Sequence, residues 1–93
     1  MNVTPDIIRY EFIGTYVRVA RSSHSGNVGI RGKVVGETRN TFAVLQDGKR
    51  KVVAKDSSVF QFEFPDRTIV EVEGKLLTGK PGDRLKKSVR RMW

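Results

Sequence analysis

Residues 29–45, GIRGKVVGETRNTFAVL, decide the fold. They read as two short strands joined at a polar corner, Thr38-Arg39-Asn40, with Gly29, Gly32 and Gly36 spaced along the first strand. Glycine weakens a strand, so its repetition marks a bend or a close backbone approach. A sheet that curls back on itself in a small barrel needs such bends. Over residues 29–37 the period of two places Ile30, Gly32, Val34 and Gly36 on one face and Arg31, Lys33, Val35 and Glu37 on the other.

The same alternation continues on both sides. Upstream, residues 15–21 alternate around Val17 and Val19 as a first strand, followed by the flexible polar loop SSHSGN at 22–27. Downstream, residues 41–45 make a third strand, Asp47-Gly48 is the strongest hairpin signal, and residues 49–54 make a fourth. Lys55-Asp56-Ser57 turns the chain into a fifth strand over 59–64, with Phe60, Phe62 and Phe64 on one face and Gln61 and Glu63 on the other. Pro65-Asp66 ends it. A sixth strand over 68–73 carries Val70 and Val72 inward, Glu71 and Glu73 outward. Six strands this closely spaced leave no room for parallel crossovers, so neighbours pair antiparallel. Closure into a small barrel hides their edges. The phenylalanine stripe fits either a base-stacking platform or a barrel interior; the interior is favoured, because three rings at period two fill such a core.

The ends read differently. Thr4-Pro5-Asp6 is a helix start, and a helix to about Phe12 aligns Ile8 with Phe12 and sets Ile7 beside them. Such a helix is too short to stand alone in water and must dock. Gly79-Lys80-Pro81-Gly82-Asp83 is a turn cluster, after which Leu85, Val89 and Met92 recur at helical spacing. The expected organisation is one mainly β domain over residues 1–93: an N-terminal helical segment at 1–12, a six-stranded antiparallel barrel at 13–78 and a basic C-terminal helix at 79–93.

The chain carries 18 Lys and Arg against 10 Asp and Glu, a net charge of +8. Residues 75–93 hold seven of those bases and one acid, whereas residues 1–74 hold eleven bases and nine acids. A nearly neutral body with a basic arm is built to meet a polyanion. The absence of cysteine excludes disulfides and thiolate metal sites. No apolar run approaches a membrane span, and the N-terminus lacks a signal-peptide shape, so a cytoplasmic location is expected.

No catalytic constellation stands out. His24, the single histidine, lies in the Ser/Gly loop with no evident partner and reads as a solvated side chain. A toxin-like endoribonuclease would have to rest on it and a nearby arginine. No His/Cys cluster has metal spacing, and Gly79–Gly82 lacks the phosphate-loop pattern. The positive signal is RNA contact. Six tail cations on single-stranded phosphates would give a log–log salt slope of about −4. Arg39 and Asn40, at their corner, are placed to reach a phosphate and a base edge. Turn geometry equally explains Asn40, since Asn tolerates the left-handed conformation. Trp93 suits either base stacking or packing on the tail.

Four pieces in order carry a family resemblance: RYEFIGTYVRVARSS, GIRGKVVGETRNTFAV, VVAKDSSVFQFE and LLTGKPGDRLKK. Together, over nearly the whole chain, they resemble the archaeal ribonuclease P protein component 1 family, whose eukaryotic relatives serve ribonuclease P and the related ribosomal-RNA-processing particle. Ser88–Trp93 extends past the family's Lys-rich stop. The resemblance implies an Sm-like barrel flanked by terminal helices. It implies a non-catalytic RNA-binding subunit of the ribonucleoprotein that removes the 5′ leader from precursor tRNA. There the RNA is the catalyst and holds the magnesium ions, and this chain binds no cofactor of its own. Implied partners are the ribonuclease P RNA, precursor tRNA within the holoenzyme, and a small zinc-ribbon protein subunit. Implied partner-contact residues are Ile7, Ile8, Phe12, Ile30 and Val34. Implied RNA contacts are Arg39, Lys55, Lys80, Arg84, Lys86 and Lys87, to which the residues themselves add Asn40, Arg90 and Arg91. An SH3-like ribosomal or translation-associated barrel would share the fold and charge and differ only in its RNA.

Overall fold

A computed structural model describes residues 11–79. Six strands, β1 (Tyr16–Ser22), β2 (Arg31–Glu37), β3 (Thr41–Gln46), β4 (Lys49–Ala54), β5 (Ser58–Glu63) and β6 (Ile69–Glu73), form one antiparallel sheet in the order β4-β3-β2-β1-β5-β6. Single 3-10 turns occupy Ser25–Asn27 and Gly74–Leu77. Glu11 and Phe12 lie outside any helix, and the rest of the expected terminal helices falls outside the described residues.

The sheet is strongly curled. β3 and β5 are separated in the ladder by β2 and β1, which in a flat sheet would hold them about 14 Å apart. Yet the Phe42 and Phe60 rings meet edge to face with centroids 5.3 Å apart. Side chains from all six strands join one core: Val17 and Val19, Val34, Phe42 and Val44, Val53, Phe60 and Phe62, Val70 and Val72. The phenylalanine stripe is therefore interior, as its spacing predicts. Phe12 completes it, stacked on Phe62 at 4.1 Å. β4 and β6 stand at opposite ends of the ladder and do not pair with each other, so no ladder of hydrogen bonds closes the barrel among the described residues.

Turn chemistry sets the register. Asp47 and Gly48 both have positive φ, 50° and 76°, the two-residue hairpin that the Asp-Gly pair predicts. At Gly32 an added Cβ would run into the Leu45 carbonyl, so this glycine is the close approach foreseen for β2. Gly29 has φ 87° and turns the chain ahead of β2, which is why the strand begins at Arg31 and not at residue 29.

The second half of β2 departs from simple alternation. Val34 pairs with Val44 and Gly36 with Ala43, so Val35 and Gly36 together oppose one residue. This β-bulge shifts the phase of the strand by one residue. Glu37, expected outward, is turned in, and its side chain is 1% exposed. Val35 stays outside. The corner that follows is built by threonines. Thr38 N–H donates to the Thr41 carbonyl at 2.9 Å, and Thr41 N–H donates to Thr38 Oγ1 at 3.1 Å. Asn40 is not among the residues with positive φ. The left-handed explanation for Asn40 is thus corrected: Thr38 shapes the turn, and the Asn40 side chain is not needed for it.

Candidate nucleic-acid interface

Exposed charge is divided between the two ends of the sheet. Arg31 and Lys33 on β2 and Lys49, Arg50 and Lys51 on β4 are all exposed, and Arg39 projects from the corner between β2 and β3. Lys33, Leu45 and Arg50 form one cross-strand row on the outer face. The first half of β4 overhangs the core as an edge, so its three consecutive cations reach solvent whichever way they alternate. None of these six cations has an ion-pair partner among the described residues. The β5–β6 end is acidic, with Glu63, Glu71 and Glu73 exposed. It occupies its own cations: Arg21 reaches Glu71 at 3.4 Å and Lys75 reaches Glu73 at 3.2 Å. The Lys49-Arg50-Lys51 run and Arg31/Lys33 escaped the sequence analysis. A count of charge by hairpin, in place of body against tail, would have found them.

Lys55 requires a correction. The resemblance assigns it to RNA, but its side chain is fully buried. Its Nζ donates to Glu37 Oε2 at 2.6 Å and to the carbonyls of Thr38, Gly79 and Arg39 at 2.8, 3.0 and 3.3 Å. It also lies 4.7 Å from the Phe42 ring centroid. An ammonium has three donors, and these oxygens satisfy it without a phosphate. Two assigned partner contacts need the same correction. Phe12 and Val34 are core side chains with no exposed surface, because the inward phase of β2 and the stacking on Phe62 claim them. Ile30 is half-buried against the core. Arg39 and Asn40 are exposed side by side. Ile7, Ile8, Lys80, Arg84, Lys86, Lys87, Arg90 and Arg91 lie outside the described residues.

Hollows mark the outer surface of the described residues. One, of about 500 Å³, crosses five strands and sets the exposed Tyr16, Leu45 and Ile69 among Arg18, Arg31 and Glu63. Another, of about 520 Å³, lies between Arg21, Ser22, Ser23, Asp56, Ser57, Glu73 and Lys75, where opposite charges balance. His24 is exposed in its loop. Among the described residues no three His, Cys, Asp or Glu side chains converge to hold a metal. Nor is any described helix long and apolar enough to cross a membrane.

Comparison with known proteins agrees with this architecture. The family described as Ribonuclease P/MRP, subunit p29, matches residues 5–87. The ribonuclease P protein component 1 of Methanothermobacter thermautotrophicus is 44% identical over 91 residues, covering 96% of this chain and 98% of the relative. That of Methanocaldococcus jannaschii is 42% identical, covering 95% and 94%. The solved structure of Mth11, a homologue of human RNase P protein Rpp29, superposes with a TM-score of 0.61 at 43% identity, covering 81% of this chain and 97% of that one. With its six-stranded curled sheet and a family match along nearly its whole length, the chain belongs to the ribonuclease P/MRP p29 family and is a protein subunit of ribonuclease P.

Proposed function

We propose that this subunit is the non-catalytic RNA-binding component of a particle that removes the 5′ leader from precursor tRNA. In this reading the RNA, with its magnesium ions, performs the cleavage. The protein neutralises phosphate repulsion and holds the folded RNA in its active shape. The observation that carries the proposal is the clustering of exposed charge: six cations on and around β2 and β4 with no ion-pair partner among the described residues, while the acidic β5–β6 end pairs with Arg21 and Lys75. Phosphate contact releases counterions, so this surface and the basic tail give binding that weakens steeply with salt. Arg39 and Asn40 lie at the border of that surface, where a bidentate cation and an amide suit a phosphate and an unpaired base edge. The hollow around Tyr16, Leu45 and Ile69 offers the apolar, aromatic character of a protein interface, which suits the zinc-ribbon subunit.

Reconstitution tests the proposal. Precursor-tRNA cleavage by ribonuclease P RNA is measured at low magnesium with and without this chain and its zinc-ribbon companion. The expected result is that the RNA alone is slow and that the proteins together lower the magnesium it needs. Cleavage by the proteins without RNA, or an RNA indifferent to this chain, would sink the proposal.

A further inference from the structure

We infer that Lys55 is a positioning residue that ties the Arg39–Asn40 corner to the chain at Gly79, and so fixes where the basic segment after Gly79 starts relative to that corner. The inference rests on the RNA-binding role proposed above.

Lys55 follows β4 directly, yet its ammonium bonds nothing on β4. Its partners are Glu37 at the end of β2, the Thr38 and Arg39 carbonyls of the corner, and the carbonyl of Gly79. Two backbone bonds run through the same knot. Gly79 N–H donates to the Arg39 carbonyl at 2.6 Å, and Lys55 N–H donates to the Asn40 carbonyl at 2.8 Å. Three segments far apart in sequence are thus joined at one buried point. The β2–β3–β4 ladder brings the corner and Lys55 together, but no ladder reaches Gly79, because β4 and β6 are the free ends of the sheet. A buried ion pair is a poor device for stability alone, since apolar residues of the same volume often serve as well or better. What a cation with several directed donors provides is a fixed mutual geometry. Here that geometry sets an exposed Arg-Asn corner beside the origin of a segment, residues 80–93, that holds six Lys and Arg. Anchoring the origin of that segment beside the corner lowers the ordering cost of bringing two RNA-contacting elements together.

The test uses the full chain and the ribonuclease P RNA of Methanothermobacter thermautotrophicus. Lys55→Met with Glu37→Gln removes both charges without stranding either. A second variant changes Lys86, Lys87, Arg90 and Arg91 to Gln, and a third combines the two sets. Positioning predicts coupling: the Lys55/Glu37 change weakens RNA binding about fivefold or more with the native tail, and less than about twofold once the tail cations are gone. Losses that multiply independently overturn the inference. Amide exchange of the free protein supplies a measurement that needs no RNA: Gly79 loses protection in the Lys55/Glu37 variant, and unchanged protection overturns the tie. If the parent chain does not bind the RNA, the functional proposal fails, and the exchange result alone decides the tie. If the variant does not fold, two glycines inserted between Gly79 and Lys80 leave the knot intact and shift the start of the tail. Affinity should again fall about fivefold, and undiminished binding would refute the positioning role.

Discussion

Replacing Lys55 with methionine should be among the most damaging single changes in the curled sheet. Methionine keeps an unbranched apolar stem but removes the ammonium, which lies over the Phe42 ring. Glu37, with 1% of its side chain exposed, would lose the ammonium 2.6 Å from its Oε2, and the Thr38 and Gly79 carbonyls would lose the Lys55 donor. Breaking one side of a buried pair costs about 3–5 kcal/mol. A chain of 93 residues has a total stability of roughly 5–14 kcal/mol, so the change removes a large share of it. At about 4–8 °C per kcal/mol for a domain of this size, even a loss of about 3 kcal/mol lowers Tm by roughly 12–24 °C. Thermal unfolding followed by far-UV circular dichroism reads this directly. Adding Glu37→Gln removes the buried carboxylate that faced the ammonium and should recover more than half of the lost Tm. A Tm for Lys55→Met within about 4 °C of the parent would refute the reasoning, since a truly desolvated pair cannot lose a partner so cheaply. So would a double variant less stable than the single one.

Other consequences are as direct. Reversing Arg31, Lys33 and Arg50 to Glu should leave Tm nearly unchanged and flatten the salt slope of RNA binding by about 2, at 0.7 per lost phosphate contact; an unchanged slope in a salt titration would place the RNA elsewhere. Gly74→Ala should destabilise by about 1–3 kcal/mol in denaturant titration, because its Cβ would lie 2.6 Å from the Phe60 ring and 2.7 Å from the Ser58 carbonyl and would also strike the Lys55 carbonyl. Gly26→Ala, which meets nothing within 4 Å, is the control and should change stability by less than about 0.5 kcal/mol. Reversing Lys86, Lys87, Arg90 and Arg91 to Glu should weaken RNA binding while the circular dichroism spectrum of the sheet persists; equal affinity at every salt concentration would remove the tail from the interface.

Much of the sheet was legible because its signals are local. Asp47-Gly48 needs no tertiary context to make a two-residue hairpin, and Phe60, Phe62 and Phe64 declare one buried face by period alone. The bulge after Val34 was not legible. A period of two assumes that every residue opposes one partner, and nothing in GKVVGE announces that Val35 and Gly36 share Ala43. One misplaced phase inverted Glu37, and with it the meaning of Lys55. A lysine after a strand counts as a surface cation unless an acid is known to be waiting inside, and that acid was hidden by the bulge. Asn40 failed in the opposite direction. Its residue type fits a left-handed turn, but Thr38 and Thr41 complete the corner with their own hydroxyls.

The basic surface follows from how topology translates sequence into space. Because the ladder runs β4-β3-β2-β1-β5-β6, residues 31–54 occupy one end of the sheet and residues 58–73 the other. The first block carries six Lys and Arg against two acids, the second one Arg against four acids. Had β5 paired between β3 and β4, strands of the two blocks would alternate and opposite charges would face each other across neighbouring strands. Sequential hairpins on each side of β1 keep them apart, so a body with a net charge of only +2 over residues 1–74 still concentrates exposed cations on neighbouring strands. One further subtraction sharpens it. Lys55 and Glu37 neutralise each other inside, which removes an acid from the basic block and leaves Asp47 as the single exposed carboxylate among residues 31–54. The bulge that turns Glu37 inward therefore serves the surface as well as the core, because it clears a negative charge from the face that a polyanion would approach.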